Sequence, residues 1–93
     1  MSEYTLNQLT TYQLAELALK SATFLAVVTR STAKMELYYL NGHFIEINYC
    51  LNTPTKQSGQ WRLYSANHFP DDPSSAKYLT IYLKQIELVI DRI

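Results

Sequence analysis

The sequence predicts an α+β fold in the order α-β-β-β-α: a three-stranded antiparallel meander with two helices packed on one face. Three observations carry this reading. The N-terminal segment places apolar residues at three- and four-residue spacings, the period of an amphipathic helix. Asn41-Gly42 divides two runs rich in aromatic and β-branched residues, the signature of a hairpin. A second helical pattern begins behind Asp72-Pro73, where an N-cap acceptor precedes a proline at the first helical position.

The first helix is read over "TLNQLTTYQLAELALKSATFLAVVTR". Thr5 with Gln8 and Thr10 with Gln13 are both capping-box patterns, which leaves two alternative starts. Leu14, Leu17, Ala18, Ser21, Leu25 and Val28 form one stripe, and Ala15, Leu19, Ala22 and Ala26 form a second beside it. Gln13, Glu16, Lys20 and Thr23 make the polar strip, with Glu16 and Lys20 an i,i+4 pair in the favourable order. A second apolar stripe asks for a further helix or another subunit to cover it. The helix is expected to end near Arg30, although "TFLAVVT" has the composition of a strand.

Residues 34–40 and 43–51 are the two hairpin strands. A polar loop with Pro54 and Gly59 follows. "QWRLYS" reads as a third strand and "ANHFPDDPSS" as a loop that opens the last helix. In that helix Leu79, Tyr82, Leu83, Ile86, Ile90 and Ile93 share a stripe, opposite Lys77, Thr80, Lys84, Glu87 and Asp91, with Ile81 and Leu88 flanking the polar side.

The length of the turn decides which side chains share a face. A two-residue loop sets Leu40 against His43, Tyr38 against Ile45 and Glu36 against Ile47, so that both faces are mixed. A three-residue loop gathers Met35, Leu37, Tyr39, Ile45, Ile47 and Tyr49 on one face, joined by Trp61 and Leu63. Each buried apolar side chain contributes about 1.5–3 kcal/mol. Strand and turn preferences span only about 1 kcal/mol. The expectation is therefore an odd loop and one apolar face. Lys34, Glu36, Tyr38, Phe44, Glu46, Asn48, Cys50, Arg62 and Tyr64 fall on the other.

The composition, 47% hydrophobic against 17% charged over 93 residues, suits one folded domain spanning residues 1–93. A formal net charge of zero gives no global attraction for nucleic acid or an anionic membrane. No uninterrupted apolar run is long enough for a membrane span, and the N-terminus lacks a signal-peptide pattern. The single cysteine, Cys50, excludes an internal disulfide and makes a reducing, cytoplasmic setting the expectation.

No phosphate-binding loop, dinucleotide fingerprint, zincin motif or nucleophile elbow is present. Glu36 and Glu46 are a carboxylate pair of the kind acid–base chemistry uses, but on a sheet face with Lys34 and Arg62 they read as solvated charges. His43, His68, Cys50 and Asp71 have no metal-site spacing, and both histidines are expected to be exposed. No catalytic residue, cofactor site or metal site is assigned. The candidate interaction surface is Tyr38, Phe44, Glu36, Glu46, Arg62 and Tyr64.

The element order resembles that of the double-stranded-RNA-binding domain. That family binds through a lysine-rich start to its last helix. Here the same stretch is "DDPSSAK", so the resemblance implies topology and not RNA binding. The segments "LAELALKSATFLA", "ELYYLNGHFIEINY" and "YLKQIELVI" resemble small bacterial proteins with a helix ending in Phe-Leu-Ala, an aromatic strand, a glycine turn and a Phe-x-Glu strand. That resemblance implies the fold and a bacterial cytosolic origin, and no activity.

The expected function is that of a non-enzymatic module that self-associates, as a homodimer, or binds a protein partner. The second helix stripe, the aromatic sheet face and the open sheet edges are the features that would do so. The alternative is a small-molecule or peptide-binding domain using the Tyr38/Phe44 face.

Overall fold

In a computed structural model, residues 6–51 and 61–91 are described, with backbone alone for 84–91. Helix α1 (Thr11–Ser21) leads into strands β1 (Thr23–Thr29), β2 (Ala33–Leu40), β3 (His43–Leu51) and β4 (Trp61–Pro70). A 3-10 turn at Pro73–Ser75 then opens helix α2 (Ala76–Asp91). The strands form one antiparallel sheet in the order β1-β2-β3-β4.

Both helix starts follow their local chemistry. Thr10 caps α1: its hydroxyl accepts from the Gln13 amide, and the Gln13 side chain accepts from the Thr10 amide at 2.9 Å. The other proposed start involves Thr5, which lies outside the described residues. Asp72 caps the 3-10 turn by accepting from the Ser74 amide, with Pro73 at its first position.

Four expectations are corrected. First, the sheet has four strands, because the helix stops at Ser21 and "TFLAVVT" forms β1. Phe24, Val27, Val28 and Thr29 suit a pleated surface, and pairing with β2 satisfies the backbone groups on that side of the strand. Helical spacing through Leu25 and Val28 was therefore coincidental. Second, β4 runs on through "ANHFP", which reads as loop in the sequence.

Third, the hairpin turn has two residues, with Leu40 opposite His43. Asn41 and Gly42 have φ of 48° and 82°, the doubly left-handed backbone of a type I′ turn. β2 is thus shifted by one residue against the predicted register, which moves all its side chains to the other face.

Fourth, the helices lie on opposite faces. Leu14, Ala15 and Ala18 of α1 pack with Leu6, Tyr38, Ile45 and Ile47. Tyr82 of α2 packs with Val28, Leu37 and Phe69. Each mixed face therefore has its own core, and the energetic argument against mixed faces loses its premise. On α2 the buried side also turns from the expected stripe: Ile81 packs against the core, while Leu83 is exposed. Ile86, Leu88, Ile90 and Ile93 lie outside the described side chains.

Candidate functional site

The register divides the predicted surface in two. Tyr38 and Glu36 are on the α1 face, paired across the sheet with Ile45 and Ile47. Tyr38 is buried and packs edge-to-face with Phe24 at 5.5 Å. Its hydroxyl donates to Glu36 Oε1 at 3.0 Å. Glu36 Oε2 in turn lies 3.8 Å from Lys34 Nζ, which stands over the rings of Tyr49 (4.7 Å) and Trp61 (5.2 Å). Burial, reinforced by Glu36, pushes the Tyr38 phenol well above its ordinary range and the Tyr49 phenol up to about 12. This constellation neutralises itself and is partly covered, so Tyr38 is a core residue and not a docking surface.

Phe44, Glu46 and Arg62 stand on the α2 face. Phe44 is one link in a ladder of rings: Tyr39 at 5.3 Å on one side and Phe69 at 5.4 Å on the other, with Tyr78 of α2 5.1 Å beyond Phe69. Tyr64 is the unmatched residue of a bulge between the pairs Asn48–Ser65 and Tyr49–Leu63, and it is strongly exposed. Arg62 is exposed as well.

Among the described residues, Glu46 is the acid at the centre of this face. It is partly buried, and its Oε2 accepts from the Tyr82 hydroxyl at 2.6 Å. The Asn48 amide approaches Oε1 at 3.4 Å and donates more closely to Ser65 Oγ at 3.0 Å. Burial, then the Glu46 carboxylate, raises the Tyr82 phenol far above the usual tyrosine range, so the proton stays on Tyr82. Over Glu46 opens a cleft of about 410 Å³ lined by Glu46, Asn67, His68, Phe69 and Tyr78. A shallower concavity of about 440 Å³ lies toward the other end of the sheet, among Ala33, Met35, Asn48, Tyr49, Cys50 and Tyr64.

Asn67, Phe69, Tyr78 and Tyr82 were not among the residues predicted for the site. The first two fell in a presumed loop. Tyr82 was placed in the helix stripe, but its hydroxyl carried a signal: a buried tyrosine needs an acceptor, and a sheet-face glutamate is one.

The histidines are also corrected. His43 and His68 are partly buried, with ring centroids 6.1 Å apart on the α1 face. His68 Nε2 meets Asn7 Oδ1 at 2.7 Å. Among the described residues no three or more His, Cys, Asp or Glu side chains gather as a metal site.

The β1 edge is the other feature of note. Among the described residues β1 has a strand neighbour on one side only. Leu25 is the extra residue of a bulge between Phe24 and Ala26, and both Phe24 and Leu25 are exposed. No ionisable side chain occurs between Lys20 and Arg30. Among the described residues no helix is long and apolar enough to cross a membrane. Compared with protein-family models, curated proteins and solved structures, the chain matches none of them.

Proposed function

We propose that the protein is a non-enzymatic module that self-associates by pairing its β1 edge with the β1 edge of a second copy. The carrying observation is that β1, an edge strand, has none of the charges or prolines that usually guard such an edge. The opposite edge, β4, carries Arg62 and ends at Pro70. A two-fold axis brings each residue near its own copy, so an uncharged strand meets no like-charge repulsion there. Pairing centred on Ala26 and Val27 would set Arg30 of each copy opposite Thr23 of the other. The exposed Phe24 and Leu25 supply apolar surface along that seam.

Light scattering after size exclusion, over a series from low to high micromolar, tests the reading. Wild type is expected to approach twice the chain mass as concentration rises. Leu25→Lys, at an exposed position outside the register, should remain monomeric with unchanged circular dichroism. A wild-type monomer throughout the series, or a variant that associates equally well, rejects it.

A further inference from the structure

We propose that the cleft over Glu46 binds a small organic cation, an ammonium group carried on an aromatic or aliphatic body. Glu46 is partly removed from water, yet among the described residues the ion pairs are Glu16 with Lys20 and Glu36 with Lys34, and none includes Glu46. A partly shielded carboxylate pairs more strongly with a cation that enters, because less water screens the two charges. Tyr82 of α2 fixes this carboxylate by donating to Oε2 at 2.6 Å from a ring that is itself 1% exposed. Among the described residues Oε1 has the long Asn48 contact of 3.4 Å and keeps accepting capacity.

Phe69 and Tyr78 stand 5.1 Å apart at an interplanar angle of 41°, one from the sheet and one from α2. Asn67, the cross-strand partner of Glu46, brings an amide to the same cleft. Carboxylate, amide and tilted rings together suit an ammonium ion: charge pairing and hydrogen bonding to Glu46, with cation–π and apolar contact from the rings. The volume, about 410 Å³, falls in the range of small-molecule sites. An anion is disfavoured because it would meet the carboxylate. The site is formed by β3, β4 and α2, so its occupancy does not depend on the proposed pairing of β1.

The test is a titration of isotope-labelled protein with phenethylamine hydrochloride near neutral pH, followed by backbone amide shifts. Two probes of matching shape, neutral 2-phenylethanol and anionic phenylacetate, run beside it. Saturable shifts at Asn67, Phe69 and Tyr78 are expected with the amine at millimolar concentration or below, with at least tenfold weaker binding of both other probes. Glu46→Gln keeps an acceptor for Tyr82 and should weaken the amine at least tenfold. Tyr78→Ala, at a half-exposed position, keeps the test decisive if Glu46→Gln fails to fold, and should weaken the amine severalfold. Absence of saturable shifts in wild type overturns the proposal. So does equal binding of 2-phenylethanol, or an unchanged affinity in whichever of the two variants is folded.

Discussion

Leu37 and Tyr38 are consecutive residues of β2, and both are buried, at 3% and 7% exposure. Neighbours in a strand point to opposite faces, so the sheet has a core on each side. Leu37 belongs to the α2 cluster and Tyr38 to the α1 cluster. Leu37→Ala and Tyr38→Ala are each expected to lower unfolding free energy by about 3 kcal/mol, the usual cost of emptying a well-packed site. The two clusters share no buried residue but the two positions adjoin along the backbone, so the double variant measures how far the cores couple, with a loss near the sum meaning independent packing. Urea denaturation of the four proteins measures this. A sheet with one solvated face would show a large cost at only one of the two positions.

The same pair explains what was legible in the sequence. Helix starts are written locally, with partners within three residues: Asp72-Pro73 was read correctly, and Thr10-x-x-Gln13 was one of the two starts the sequence left open. The β3 pattern was also readable: Ile45 and Ile47 share one face, and Phe44 and Glu46 the other. The phase of β2 against β3 was not. It depends on whether the second face is covered, and that is decided by α2, far along the chain. Counting six apolar residues on one face was sound arithmetic for a sheet with one core. With two cores the mixed register loses nothing, and the intrinsic preference of Asn41-Gly42 decides. The candidate site suffered the same way: Glu46 was identified, but its neighbours Asn67 and Phe69 were hidden in a strand whose Asn and His residues read as loop.

Gly42 is the position where turn chemistry can be measured. Its φ of 82° is costly for any residue with a Cβ, and nothing lies within 4 Å of where a Cβ would stand. Gly42→Ala therefore costs backbone strain alone, about 1 kcal/mol. Asn41→Gly, at φ 48°, should change stability by less than about 0.5 kcal/mol, since glycine adopts this region freely but gains freedom when unfolded. Denaturation midpoints of the two variants test the assignment. A three-residue loop would have left position 41 with ordinary backbone and no such contrast.

The Thr10 cap is expected to matter more than its exposed position suggests. α1 has only 11 residues and relies on its first turn being closed. Thr10→Ala removes the acceptor for the Gln13 amide and should cost about 1 kcal/mol. Thr10→Asp, which keeps an acceptor and adds a charge favourable to the helix N-terminus, should restore most of it. Thermal unfolding of the three proteins is the measurement.

Alkaline pH should expose the Tyr82–Glu46 contact. Tyr82, Tyr38 and Tyr49 are all held above the ordinary value of 10.0, each by burial first and a neighbouring glutamate second. The unfolded chain then releases these protons before the folded chain does. Their stabilising contribution is complete below about pH 10 and is lost as pH rises from there toward the folded-state values. For Tyr82, the most buried of the three, the loss approaches about 1.4 kcal/mol per pH unit across that interval. Urea midpoints between pH 8 and pH 11 are expected to be level at first and then to fall. Tyr82→Phe removes the donor to Glu46, so it starts from a lower plateau by about 1–2 kcal/mol. Having no proton to lose at that site, it should decline less steeply than wild type above about pH 10. Parallel curves for the two proteins would mean that the Tyr82 proton is not held by the folded state, and the buried contact with Glu46 would have to be abandoned.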